Sequence, residues 1–233
     1  DYLNIKHLKT QLPSEFVGWF DQEKYAKSQQ YTKDTTRFSV VVSTLMIGIT
    51  LIFILMGGFN FVDELARKVH SHYIVRGLVF TGILMLGSTV IGIPFSIYST
   101  FVLEERYGFN KTTPRTFILD LVKGLIISVI LGGAVLSGIL WFFHETGEWA
   151  WVYAWAGVLA FTLVVQFVAP VLIMPLFNKF TPLEEGELKS AVLEYAQKEN
   201  FKIKGIYTMD SSKRSTKLNA FFTYQENSFS NQF

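Results

Sequence analysis

An all-α polytopic membrane protein with four transmembrane helices, followed by the start of an α+β cytoplasmic domain, is the fold class this sequence predicts. Three observations carry it. Four uncharged apolar runs, at 38–61, 77–103, 124–143 and 149–177, are each at least 20 residues long. About 20 helical residues, rising about 1.5 Å each, cross a hydrocarbon core of roughly 30 Å. The apolarity also goes all the way round: 38–61 holds fourteen Phe, Val, Ile or Leu residues and no charge, whereas a soluble amphipathic helix keeps a polar face. At about −0.3 to −0.6 kcal/mol per such residue, this run favours insertion by several kcal/mol. Past 177 the pattern changes to the mixed polar and apolar spacing of a soluble domain.

Residues 1–37 carry six Lys/Arg against five Asp/Glu and read as an amphipathic cytoplasmic juxtamembrane segment. The first span is 38–61 and the loop after it 62–76. The second span, 77–103, contains Pro94. A second loop at 104–123 holds the turn signal Tyr107-Gly108-Phe109-Asn110 and an extended Thr113-Pro114. Asp120 and Lys123 read there as a snorkelling interfacial pair. The third and fourth spans are joined only by 144–148, which makes them an antiparallel hairpin. Gly124, Ser128 and Gly132 form a face of small residues suited to close helix packing. Pro170 and Pro175 bend or end the fourth span. Beyond it, Thr181-Pro182-Leu183-Glu184 predicts a helix start with Thr181 as N-cap. Leu188, Val192, Tyr195 and Ala196 carry that helix to about Asn200. Strands are expected at 206–209 and 218–223, with a basic loop at 210–217 between them. The 178–233 stretch buries too little to be a finished domain.

Charge orients the bundle. The N-terminal flank, the second loop and 178–197 carry ten Lys/Arg near the spans, against three on the other side. Lys/Arg-rich flanks stay in the cytoplasm, so both termini are expected there, with Trp149, Trp151, Tyr153 and Trp155 near the opposite interface. The net charge of +2 gives no basic field for nucleic acid, so that partner class is excluded and the lipid bilayer is the first partner. With no Cys, thiolate metal sites and thiol nucleophiles are excluded as well. A chain that begins at Asp1, with no leader pattern, reads as one from which an upstream segment has been cut.

No motif completes a catalytic site. His144-Glu145 opens an H-E-x-x-H pattern, but Glu148 stands where the second His belongs. His70 and His72 could share a metal only with a third ligand. Glu104-Glu105 is followed at once by Arg106, and Phe109 holds the place where a Glu-Glu-x-x-x-Arg protease would have its Arg, so a charged interfacial turn is expected. Catalytic and metal-ligating residues are therefore none.

Two long stretches carry a resemblance. One runs from Pro94 through Tyr98, Glu104, Glu105, Arg106, Tyr107, Gly108 and Asn110 to Thr113. The other runs from Ile173-Met174-Pro175-Leu176-Phe177-Asn178-Lys179-Phe180-Thr181-Pro182-Leu183 to Ser211-Ser212-Lys213-Arg214-Ser215 and Asn219-Ala220-Phe221-Phe222-Thr223. Together they resemble the type I CAAX prenyl proteases, integral-membrane zinc metallopeptidases of the M48 class. The resemblance implies an α-helical barrel of seven spans around a chamber, roofed by a cytoplasmic metalloprotease domain. It divides the chain into 1–37, a four-helix membrane region at 38–177 and the incomplete start of a peptidase domain at 178–233. The implied activity is zinc-dependent endoproteolysis near the C-termini of prenylated proteins or other membrane-associated peptides. Asn219 and Ala220 match the strand that offers its edge to substrate backbone; an ordinary strand of an incomplete domain is the competing account. Tyr224 replaces a family glycine, and 225–233 departs from the family. The expected cofactor is zinc for the full-length member and none for these 233 residues, which are expected to be inactive because H-E-x-x-H is absent. A truncated, frameshifted or partial gene product explains that absence. The alternative is a non-catalytic four-span membrane scaffold or regulatory module. Location is expected in a bacterial cytoplasmic membrane, preferred, or in the endoplasmic reticulum of a eukaryote.

Overall fold

The structure, a computed structural model, describes residues 2–203, 205–210, 212–217 and 220. After a short helix α1 (Tyr2–His7) and a 3-10 turn at Ser14–Phe16, the first long helix α2 spans Gln22–Leu55. The Asp21 carboxylate caps it by accepting from the Lys24 backbone N–H at 2.9 Å. The expected break between a juxtamembrane segment and a span at 37/38 is absent. A single helix of 34 residues is about 50 Å long, so its first turns stand clear of any bilayer that its apolar turns cross.

Gly57, at φ +71°, ends α2 in a left-handed turn that glycine adopts without strain. Helix α3 (Gly58–Val69) follows where 62–76 was expected to be a loop. Its periodicity explains the correction. Val62 and Ala66 are buried at 4% and 0% exposure, while Arg67 pairs with Asp63 at 2.6 Å and Asn60 donates to Glu64 at 3.1 Å on the outer side. Phe59 and Phe61 therefore belong to this amphipathic helix and not to the first span.

Helix α4 (Tyr73–Tyr98) runs on through a widened π turn at Ser99–Glu104, past Pro94, which lacks the N–H of a regular helical residue. The second loop is shorter than expected, because Thr113 caps a new helix, α5 (Pro114–Glu145), with Pro114 in its first turn. Thr113 itself is extended, and Gly108 has φ +75° in the expected turn. After a 3-10 turn at Gly147–Trp149, α6 (Ala150–Val168) packs back along α5 as the expected hairpin. The close approaches are not at Gly124 and Gly132, where an added Cβ would meet nothing within 4 Å. They lie at Gly77, where it would meet Leu140 Cδ1 at 2.5 Å, and at Gly157 beside Phe142. Pro170 lies in a second π turn, Ala169–Ile173, and Pro175 in the last turn, α7 (Met174–Phe177), where the fourth helical run ends. Among the described residues, four helical stretches are long and apolar enough to cross a membrane: Gln22–Leu55, Tyr73–Glu104, Pro114–Glu145 and Gly147–Phe177.

Of the α+β domain expected next, the described residues show one helix and a two-stranded antiparallel sheet. Strand β1 (Lys179–Pro182) pairs with β2 (Tyr207–Asp210), with Phe180 opposite Met209 and Thr181 opposite Thr208. Helix α8 covers Glu187–Lys198. Thr181 is thus a strand residue and not an N-cap. The local T-P-L-E pattern loses to pairing with the distant segment, which extends to the Leu183 N–H donating to Ile206 O at 2.8 Å. The helix starts instead after Gly186 and ends short of Asn200, which has φ 53°. Only Ala196 of the expected apolar face is buried; Leu188 and Tyr195 are exposed.

Candidate functional site

The second loop carries its polar groups to one end of the helix bundle, and there the segment 212–217 comes back to meet them. The segment docks by its backbone first. The N–H of Lys111 donates to Arg214 O at 3.0 Å, and Thr216 N–H to Phe109 O at 3.0 Å, which makes Asn110 and Ser215 an antiparallel bridge. The hydroxyls of Thr112 and Thr216 add bonds to Arg214 O at 3.2 Å and Gly108 O at 3.1 Å.

Two cations then lock into the bundle. Arg214 donates through Nε and Nη2 to the two oxygens of Asp120 at 2.6 and 2.9 Å, and through Nη1 to Asn178 Oδ1 at 3.0 Å. This two-pronged geometry is what a planar guanidinium offers a carboxylate. It ties the segment both to the first turns of α5 and to the start of β1, and Asp120 raises the pKa of Arg214 further. Lys217 reaches α2 and the π turn. Its ammonium lies 2.8 Å from the Glu104 carboxylate, donates to the Tyr31 hydroxyl, and sits 4.4 Å above the Tyr31 ring and 4.9 Å above the Phe109 ring. Burial pushes its pKa down, but the bonds to Glu104 and Tyr31 outweigh this and the net shift is upward. The Tyr31 hydroxyl donates in turn to Glu104.

Asp120 and Lys123 therefore each take another partner and do not form an ion pair with each other. Lys123 caps the end of the fourth span by donating to Leu176 O at 2.8 Å. Glu104 and Glu105 are likewise more than a charged turn: the first takes Lys217 and Tyr31, the second accepts from Asn110 at 3.0 Å. Arg214, Lys217, Tyr31 and Tyr107 are residues that sequence reasoning missed. The available signal was that acidic groups bordering apolar spans are costly without partners, and the basic loop at 210–217 held the cations.

Tyr107 is 7% exposed and donates to Asp34 Oδ2 at 2.6 Å. Burial, reinforced by that bond, pushes its phenol from 10.0 up to about 12. A raised pKa for a group that is neutral when protonated means its stabilisation is complete below pH 10 and is lost as the pH climbs through about 12. Subtracting the phenol titration of Tyr107→Phe from that of the parent should isolate one ionisation near pH 12; a difference curve centred near 10 would contradict the buried Tyr107–Asp34 bond.

Below the joint, between α4 and α5, lies a cavity of about 380 Å³ with Thr89, Ser96, Thr100, Thr112 and Asp120 among its walls. It is in the size range of small-ligand sites, and Ile93, Phe117 and Leu121 make the rest of its lining apolar. Of the sequence-derived substrate residues, Asn219 lies outside the described residues, as do 218 and 221–223 of the expected second strand. Ala220 is exposed, three residues beyond Lys217.

The histidines stand elsewhere. His70 Nδ1 accepts the His72 N–H at 2.9 Å, and His144 stacks on Tyr73 at 4.1 Å. Glu148 lies in the 3-10 turn between α5 and α6, as expected of a hairpin connection. Among the described residues no three His, Cys, Asp or Glu side chains gather as a metal site, so the donor set described does not fit a catalytic zinc.

Residues 1–179 match a family model described as CAAX prenyl protease N-terminal, five membrane helices. A probable CAAX prenyl protease 1 of Schizosaccharomyces pombe is 40% identical over 92% of this chain and 48% of its own length. CAAX prenyl protease 1 of Saccharomyces cerevisiae is 35% identical, with 92% of this chain and 50% of its own length covered. The crystal structure of Saccharomyces mikatae Ste24p superposes with a TM-score of 0.85 at 34% identity, over 96% of this chain and 53% of that one. The chain thus spans about half the length of the curated relatives it matches. These organisms are eukaryotes, so the preference for a bacterial membrane is not supported.

Proposed function

The chain belongs to the CAAX prenyl protease family, and on that premise we propose that it is the membrane half of a zinc-dependent endopeptidase for prenylated proteins. The observation that carries this reading is the joint itself. Arg214 and Lys217 fasten the segment leading to Asn219 and Ala220 against the bundle mouth, above a largely apolar cavity between α4 and α5. By the family resemblance, the stretch that follows Lys217 would bring Asn219 and Ala220 to an extended peptide whose lipid is held among the spans. In this reading 38–177 is the membrane region and 178–233 opens the peptidase domain. The bundle mouth and both termini face the cytoplasm of an endoplasmic reticulum membrane. Zinc belongs to the longer family enzyme, where it would polarise the scissile carbonyl and activate water. The residues described here position substrate and take no part in that step. A self-contained scaffold is less well supported, because the similarity runs through almost the entire chain into proteins twice its length.

The test is a fusion of this chain, through Thr223, to the remaining half of the S. pombe relative. In microsomes the fusion should cleave a farnesylated C-terminal peptide and lose that activity to a zinc chelator, while the 233 residues alone show neither cleavage nor one tightly held zinc per chain. Cleavage or stoichiometric zinc in the 233-residue chain would overturn the reading.

A further inference from the structure

We propose that a cleft between α2 and the end of α4 binds the headgroup of an anionic phospholipid. The cleft has a volume of about 270 Å³ and is walled by Asp34, Arg37, Phe38, Val41, Tyr98 and Arg106, with buried Leu103 at its floor. Its groups are ordered as a phospholipid is. Arg37 is the last charge before the uncharged run that begins at Phe38, and Arg106 lies just beyond the end of the run that closes at Leu103. Both guanidinium groups therefore belong at the level of the bilayer interface. On the bilayer side of the two cations, Phe38, the residue next to Arg37, and Tyr98, about two turns before Arg106, pack with ring centroids 5.0 Å apart, and with exposed Val41 one turn on from Arg37 they form an apolar wall for the upper acyl chain.

Neither guanidinium is hydrogen-bonded to an acid. Arg37 has no ion-pair or side-chain hydrogen-bond partner among the described residues. Arg106 forms only a long ion pair with Asp34, at 3.8 Å, and that carboxylate already accepts from Tyr107 at 2.6 Å and from Gln30 at 3.0 Å. Two guanidinium groups against one engaged carboxylate leave a net positive cleft. Their planar forks suit phosphate oxygens. A headgroup with a net negative charge, such as that of phosphatidylserine, complements this balance better than zwitterionic phosphatidylcholine. Each basic side chain at such a surface strengthens anionic-lipid binding by roughly fivefold.

Native mass spectrometry of the detergent-purified chain, offered equal phosphatidylserine and phosphatidylcholine, tests the site. Phosphatidylserine should be retained preferentially, by about tenfold or more. The double variant Arg37→Gln/Arg106→Gln should abolish the preference, whereas Lys111→Gln/Arg115→Gln, which removes the same charge from exposed positions of the nearby loop and α5, should leave it. Asp34→Asn should raise retention severalfold, a gain that misfolding cannot mimic and that decides the matter if the Arg variant fails to fold. Excess inorganic phosphate should not displace the lipid. Equal retention of the two lipids, an equal loss in the Lys111/Arg115 variant, no gain in Asp34→Asn, or displacement by inorganic phosphate would each overturn the proposal.

Discussion

Replacing Arg214 by Ala is expected to release the 212–217 segment from the bundle mouth. The substitution removes three hydrogen bonds, two to Asp120 and one to Asn178. It also leaves the Asp120 carboxylate, 24% exposed, without its cation. A fully buried pair broken on one side costs about 3–5 kcal/mol; partial exposure lowers this to roughly 1–3 kcal/mol. The backbone bonds of Lys111 and Thr216 depend on the same docking, so their amides should exchange with solvent about five- to a hundredfold faster. Asp120→Asn should lose less, because its amide oxygen can still accept from Arg214. A double-mutant cycle over the two positions should give a coupling of about 1–3 kcal/mol. Unchanged exchange at Lys111 and Thr216 in Arg214→Ala would show that the guanidinium does not hold the segment.

The second large effect lies at the other end of the first span. Ala66 is fully buried where α3 packs on α4, and Val62, one turn earlier, is 4% exposed. Ala66→Asp would place an unpaired carboxylate there, at a cost of several kcal/mol. Helix α3 should then come off the bundle and trypsin should cut after Arg67 and Lys68, which are shielded by helical structure in the parent. Ala66→Ser, nearly the same size, should cut far more slowly. Equal resistance in Ala66→Asp and parent would mean that α3 does not depend on this contact.

The four spans were legible because apolarity all round a long helix has one reading. The hairpin was legible because five residues cannot join two spans any other way. What was not legible depended on distant partners. Thr181-Pro182-Leu183-Glu184 is a sound helix start until the 206–210 segment pairs with it. Helix α3 was hidden because Phe59 and Phe61 extended the apolar run before it, and only Gly57 marks the turn between them. At the site, Glu104 and Asp120 were visible as charges bordering spans, but their partners lie 113 and 94 residues away in sequence. No local pattern announces such a pairing.

The docking of 212–217 on the second loop is open to one direct measurement, since the chain has no native cysteine to interfere. Asn110 and Ser215 face each other across an antiparallel bridge. Opposed residues in such a bridge have Cα atoms about 4.5–5.5 Å apart, within the roughly 4.4–6.8 Å that a disulfide spans. Asn110→Cys/Ser215→Cys should therefore cross-link under mild oxidation in native membranes, and adding Arg214→Ala should suppress the cross-link. A pair that stays reduced while a Thr181→Cys/Thr208→Cys pair in the β1–β2 ladder oxidises would place the segment away from the bundle mouth and contradict the joint.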